Sequence, residues 1–316
     1  MTQSPASTFR LQSLPENALH LVLRSMPFQD IFAISLISKR TMLIVKSMNL
    51  EPVQIIVNVC EKTSISVRTE ERKRLLIITL NGNSKENTSL SWTKRCSESM
   101  DYVAHLVNLI PKSIVSKLIF QHNLEENQLQ DIFRMVPVCE NLMIFPNISC
   151  QKILNNYSTS SKNLLLLQHS PSPKLVLTGF DSLTVGVNNG DLDKLLMANC
   201  VSFGFYAIDP KTFNRFLKLW IKNKSNPRLE YFYSTGRNFD MNVIFSGIKY
   251  TKVADEEVRV FKNPRKVFRS DHWYHSYNSV EVKGGYDFKR KDGRRATISV
   301  TPWSNISKIM FIIHSS

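Results

Sequence analysis

The chain has 316 residues, with 41 Lys and Arg against 26 Asp and Glu for a formal charge of +15, and 42% of its residues are hydrophobic. That apolar content suffices for a sizeable core and, with only 10 Gly and 13 Pro, excludes a collagen-like or wholly disordered chain, while five widely spaced cysteines exclude a disulfide miniprotein. At about 150 residues per domain the length predicts two domains, or a small module ahead of a larger body, and the excess of cations favours anionic partners without bearing on the fold.

Residues 1–9 are polar, with one aromatic, and are expected to be disordered because they cannot bury enough surface to offset chain entropy. They lack the basic and apolar regions of a secretory signal, and no apolar run reaches the roughly 18 to 20 residues that cross a bilayer, so a cytoplasmic or nuclear protein with reduced thiols and no membrane partner is expected. Pro15 and Glu16 open a helix over 14–26 that Pro27 ends. Another begins near Asp30, with Ile31, Ile34 and Ile37 following, and Ser38 caps a third that runs through Met42 and Val45. Three such short helices cannot bury their apolar residues among themselves, so they need a partner.

From Val53 the period changes, and residues 53–59, 64–68 and 75–80 predict a small antiparallel sheet, followed by a helix over 102–110. A pattern of apolar, any, apolar, any, any, Asn then recurs at Leu118 to Asn123, Leu142 to Asn147 and Leu183 to Asn188, and Leu164 starts a run that fits except at its last residue. With Val201 and Leu229 as further strand starts, the spacing resembles a degenerate leucine-rich-repeat solenoid of strand and helix units over about 115–250, with Asn serving the backbone at each bend. Helices are expected around Leu129, Ile132, Phe133 and Val136 and around Leu192, Leu195 and Leu196. Asp209 and Pro210 start a helix over 209–222 that sets Phe213, Phe216, Leu217 and Trp220 against Lys211, Arg215, Lys218 and Lys222. Residues 251–316 are expected to be β-rich and antiparallel, with a hairpin turning at Asp292-Gly293 and a closing strand over 308–314. The fold class is therefore α+β or α/β: a three-helix module, then a larger domain of strands and helices.

No nucleophile elbow, zincin pair, phosphate loop or dinucleotide fingerprint is present. His272 and His275 beside Asp271 could reach a metal, but two imidazoles on an expected loop fit aromatic packing better, and Gly284-Gly285 fits a turn. No cofactor or metal is expected. The basic stripe of helix 209–222 and the cations of 289–295 suit an anionic partner, either an acidic protein or, in an alternative reading, nucleic acid. Against the alternative stands the lack of any recognised nucleic-acid module.

Residues 11–45 resemble the F-box, carried by Leu14-Pro15, Val22-Leu23, Met26, Asp30-Ile31 and Ile37-Ser38-Lys39-Arg40 spaced without a gap. Asn17 stands where an acidic residue is common and Leu21 where a polar one is usual. Segments 209–220, Leu229-Glu230-Tyr231-Phe232, 239–248 and 285–293 with Ala296-Thr297-Ile298 resemble the type 2 F-box-associated domain of nematode F-box families. The resemblance implies an F-box over 10–50 and a substrate-recognition domain over 51–316. It further implies a non-catalytic subunit of an SCF-type ubiquitin ligase, which docks on the Skp adaptor and through it on a cullin, and which binds a protein substrate, expected to be acidic. Leu14, Pro15, Val22, Leu23, Met26, Ile31, Ile37, Ser38 and Lys39 would then meet the adaptor, and Lys211, Arg215, Lys218 and Lys222 the substrate.

Overall fold

The computed structural model describes residues 13–60, 63–68, 74–80, 89–92, 96–146, 148–167, 179–186, 199–236, 239–262, 279–303 and 306–314. The expected disordered segment 1–9, the helix around Leu192, and the His272 and His275 pair lie outside them. The chain divides into two compact units, Met1–Ser116 with Glu126–Val136, and Lys117–Glu125 with Pro137–Ser316.

The first unit opens with α1 (Glu16–Ser25), α2 (Phe28–Ser35) and α3 (Lys39–Ser47). Pro15 and Pro27 occupy the residues just ahead of α1 and α2, where a missing N–H costs nothing. Ser38 caps α3 reciprocally: its Oγ accepts from Thr41 N at 3.1 Å, and Thr41 Oγ1 accepts from Ser38 N at 3.0 Å. The expected strands form as β1 (Gln54–Val59), β2 (Ser64–Arg68) and β3 (Arg74–Leu80), paired antiparallel, and β4 (Ser89–Trp92), which the sequence did not predict, adds parallel to β3. Strict alternation in β1 buries Ile55, Val57 and Val59. Helix α4 (Cys96–Leu109) begins six residues before the expected start at residue 102, and α5 (Glu126–Met135) packs beside it. Two serines anchor the start of β1, for Val53 N donates to Ser113 Oγ at 3.1 Å and Ser116 Oγ donates to Ile55 O at 3.2 Å.

In the second unit, parallel strands follow one another in chain order: the end of β5 (Ile114–Phe120), β6 (Asn141–Ile144), β7 (Asn163–Leu166), β8 (Ser182–Val185), β9 (Ser202–Tyr206) and β10 (Tyr231–Gly236). Leu118, Leu142, Leu164 and Leu183, equivalent in the sequence pattern, occupy one register line that continues through Phe203 and Phe232. Of the recurring Asn, the described Asn123 serves the backbone as expected, accepting from Ser149 N at 3.0 Å. Helix α6 (Cys150–Tyr157) went unpredicted, although Cys150, Ile153, Leu154 and Tyr157 hold the i, i+3, i+4, i+7 spacing and all are buried. Gly204 pairs with Tyr233, whose ring lies where a Cβ would stand, so that register position admits no side chain.

Helix α7 (Pro210–Ile221) starts as expected, with Asp209 accepting from Thr212 N at 2.9 Å. Its buried face stacks Phe213 on Phe232 at 5.1 Å and sets Trp220 edge-on to Phe311 at 4.9 Å. The one-turn α8 (Met241–Ile244) is pinned to it through Asn214 Nδ2, which donates to Ile244 O at 2.7 Å and Ser246 O at 3.0 Å. The chain ends in antiparallel β11 (Thr251–Lys262), β12 (Ser279–Lys289), β13 (Arg295–Trp303) and β14 (Ile306–Ile313), with β14 pairing antiparallel to β10. This is a mixed α+β architecture with the expected antiparallel end.

One expectation is corrected here. Gly284 and Gly285 do not form a turn; they lie inside β12 at φ +63° and +117°, opposite a register slip between Val253 and Val258. A Cβ at Gly285 would meet Ile298 O at 2.7 Å. The glycine pair changes the face that β12 presents: Tyr286 and Phe288 pair with Ile298 and Ala296, whereas beyond it Val282 packs with Tyr231, Tyr233, Met310 and Ile312.

Trp220, with no exposed surface, holds α7 to the sheet, so Trp220→Ala is expected to cost about 3 to 5 kcal/mol in a urea titration of the whole chain. A loss near zero would place that contact outside the core.

Candidate functional site

On α1 the buried Leu19 and Leu23 are four apart and share a face, which leaves Leu21 on the opposite side, 72% exposed. Ile37, in the tight link before α3, is 70% exposed, and Leu43 on α3 is 54% exposed. Pro15 and Lys39 are exposed too, while Leu14, Val22 and Met26 are half-buried. Ser38 is exposed but engaged in its cap. Leu23 and Ile31 are buried in the chain itself and serve its packing. The sequence reading took Leu21 as a mere departure, although its two-residue offset from Leu19 already put it on the outer face.

The inner face of this module is closed by α4. Phe32 is fully buried, with Tyr102 edge-on at 6.3 Å and His105 edge-on at 5.7 Å. Ser35 Oγ gives its single proton to Phe32 O at 2.6 Å, so at 2.8 Å it must accept from His105 Nε2–H, which fixes that tautomer of the neutral ring. Burial lowers the His105 pKa below its ordinary 6.5. The outer helices are tied to each other through His20 Nε2 and Ser47 Oγ at 3.1 Å, and α3 to α4 through Lys46 Nζ and Asn108 Oδ1 at 3.1 Å.

In the second unit Lys211, Arg215 and Lys222 are exposed along α7 and Lys218 is half-buried, opposite the buried Phe213, Phe216, Leu217 and Trp220. The basic hairpin meets the C-terminal end of this helix, because Lys291 N donates to Ile221 O at 2.9 Å. Arg290 does not join the exposed cations. It is 3% exposed, lies 5.1 Å over the Trp220 ring and is paired with Asp292, its Nε donating to Oδ1 at 2.9 Å. Arg290 with the backbone N–H of Arg294 holds the Asp292 carboxyl down to about 2. Arg294 Nη1 reaches Pro227 O at 2.9 Å, and Arg228 pairs with Asp181 at 2.8 Å.

A polar network crosses the antiparallel strands. Burial would raise the Asp287 pKa, but hydrogen bonds from Arg259 and Thr297 and the Arg259 charge outweigh it and hold the carboxyl below its ordinary value. Thr297 Oγ1 donates to Asp287 Oδ1 at 2.7 Å and must therefore accept from His314 Nε2–H at 2.8 Å. With the hydroxyl between carboxylate and imidazole, the ring is a donor rather than a base, the reverse of what activates a nucleophile. Burial lowers the His314 pKa. Among the described residues no group of three or more His, Cys, Asp or Glu could hold a metal, and no helix is long and apolar enough to cross a membrane.

Residues 11–52 match the family model of the F-box domain, and residues 173–234 match a model described as F-box associated. The first match takes in α1 to α3, and the second takes in β8, β9 and α7 and reaches into β10. It ends ahead of the segments 239–248 and 285–298 that carried part of the sequence resemblance. Such domains are typical of non-catalytic adaptor proteins, and nothing in the matches supports the nucleic-acid alternative. No curated protein and no solved structure matches the chain.

Since folding keeps His105 neutral below the pH at which the free ring charges, the unfolded chain takes up more protons there. The His105 contribution is therefore full above pH 6.5 and is lost as pH falls through the lowered folded value. Urea titrations at pH 7.5 and 5.5 should show a smaller pH-dependent loss in His105→Gln than in the parent, with His314, shifted the same way, contributing to what is left. An unchanged pH dependence would mean that His105 titrates alike in both states.

Proposed function

Because the chain carries an F-box and an F-box-associated domain, we propose that it is the substrate-recognition subunit of an SCF-type ubiquitin ligase, working in the cytoplasm or nucleus. The observation that carries the reading is the F-box match over three helices that leave Pro15, Leu21 and Ile37 outside the protein's own core. Exposed apolar residues on a module whose inner face is already closed are what a docking element requires, since the central apolar residues of an interface supply most of its affinity. In this reading the Skp adaptor seats on Leu14, Pro15, Val22, Met26, Ile37 and Lys39, with Leu21 added. Leu23 and Ile31 hold the helices behind them, and Ser38 fixes where α3 begins.

The second unit selects the substrate. Its parallel strands, read as a degenerate leucine-rich-repeat-like array, carry α7, whose Lys211, Arg215, Lys218 and Lys222 face an acidic protein. Ubiquitin transfer belongs to the conjugating enzyme recruited through the cullin.

Ile37→Asp should weaken binding of purified Skp adaptor by at least about 2 kcal/mol, roughly 30-fold, because it removes a central apolar contact and places a charge there. The melting temperature should barely move, since exposed substitutions cost within about 0.5 kcal/mol. Undiminished adaptor binding, or a parent that never binds adaptor, contradicts the assignment. For α7, reversing Lys211 and Arg215 to Glu should weaken capture of the substrate and flatten its salt dependence with the fold intact. Unchanged capture would make the stripe a solubility feature only.

A further inference from the structure

The second unit holds an open groove of about 500 Å3, within the roughly 300 to 1,000 Å3 of clefts that seat ligands, lined by Lys249, Tyr250, Phe288, Lys289, Gly293 and Arg295, with Thr251 and Asp287 completing it. Its exposed ring is Tyr250, backed by an aromatic cluster. Phe245 lies 4.8 Å from Tyr250, 4.7 Å from Tyr286 and 5.4 Å from Phe288, so the rings are fixed although Tyr250 remains 47% exposed. Among the described residues nothing stands within 4 Å of where a Cβ on Gly293 would point, which leaves that side open.

The charge of the groove is one-sided. Asp287 is the one acidic residue among the described residues that line it, and that carboxylate is already occupied by Arg259 Nη1 at 3.0 and 2.9 Å and by Thr297 Oγ1 at 2.7 Å, with Arg295 more distant at 3.7 Å. Lys249 and Lys289 are exposed and have no acidic partner among the described residues. Lys218 of α7 extends the positive field, since its Nζ is 3.4 Å from where a Cβ on Gly247 would stand, two residues before Lys249.

We propose that this groove takes an acidic peptide segment of the substrate protein, one large apolar or aromatic side chain resting on Tyr250, which the buried Phe288 backs, and flanking carboxylates reaching Lys249, Lys289 and Arg295. The proposal rests on the reading of the second unit as the substrate-binding part. The cations come from three separate stretches: the link before β11, the end of β12 and the start of β13. Such spacing suits carboxylates distributed along a chain better than a single phosphoryl group, which is held by a converging fork or a nest of backbone N–H groups. One exposed ring also differs from the successive stacking platforms that single-stranded nucleic acid uses.

The test uses the full chain and a short fluorescent peptide of glutamates around one central phenylalanine. Lys249→Glu with Lys289→Glu should weaken its binding by about tenfold or more, as should Tyr250→Ala, which leaves the charge unchanged. Lys112→Glu with Lys224→Glu removes the same charge at other exposed sites and should change binding by less than about twofold. An equal loss in the two charge reversals would reduce the effect to net charge and overturn the proposal. So would tighter binding of a phosphoserine peptide or of oligothymidylate than of the glutamate peptide. Skp affinity measured on the same proteins separates the two readings. A chain that binds adaptor but never the peptide loses the groove alone, and one that binds the peptide through Lys249 and Tyr250 but no adaptor loses the ligase assignment alone.

Discussion

Three helices of ten, eight and nine residues carry more apolar side chain than they can hide among themselves, and burial of Phe32 is where that excess is met. Its ring is enclosed edge-on by Tyr102 and His105, and the Ser35 hydroxyl beside it is used twice, as donor to Phe32 O and as acceptor from His105. Closing that side orients α1 to α3 so that Leu21, Ile37 and Leu43 are left out. The same contact places the helical module and α4 in one compact unit, so the module is held in position before any partner arrives. In the proposed docking role, a module that is already ordered loses less conformational entropy on binding.

The second unit depends in a comparable way on one helix end. Trp220 meets Phe311 on one side and Arg290 on the other, while the last turn of α7 accepts the Lys291 N–H. A cation held at a helix C-terminus is favoured by the helix dipole, and here Asp292 balances its charge. The turn between β12 and β13 is thereby fixed, and with it the positions of Lys289, Gly293 and Arg295. Buried Arg290 therefore does structural work inside a run of cations whose other members face solvent.

Much of this was legible in the sequence where a local rule had one outcome. Pro15, Ser38 and Asp209 mark helix starts because each answers a backbone need at that position, and Asp292-Gly293 marks a hairpin because its backbone needs a positive φ, here +95° at Gly293. The equivalence of Leu118, Leu142, Leu164 and Leu183 is borne out in register, since parallel strands with like patterns pair in line. What escaped depended on tertiary neighbours. An apolar residue within the F-box pattern can hold the module together, as Leu23 and Ile31 do, or remain outside it, as Ile37 does, and the spacing alone does not distinguish them. Gly284-Gly285 looks like a turn in sequence because a bulge and a turn need the same backbone freedom. The groove joins Lys249 and Tyr250 to Lys289 and Arg295 only through the pairing of β11, β12 and β13, which no local pattern announces.

In the proposed assembly the outer side of α1 to α3 is the docking surface for the Skp adaptor, and the second unit is left for another protein. Backbone hydrogen exchange of the full chain, with and without saturating purified adaptor, tests it most directly, because slowed exchange marks the elements that a partner covers or steadies. Slowed exchange is expected in α1, in the link carrying Ile37 and in α3, with α7 and β11 to β13 unchanged. Protection confined to the second unit, or no protection anywhere, would contradict it.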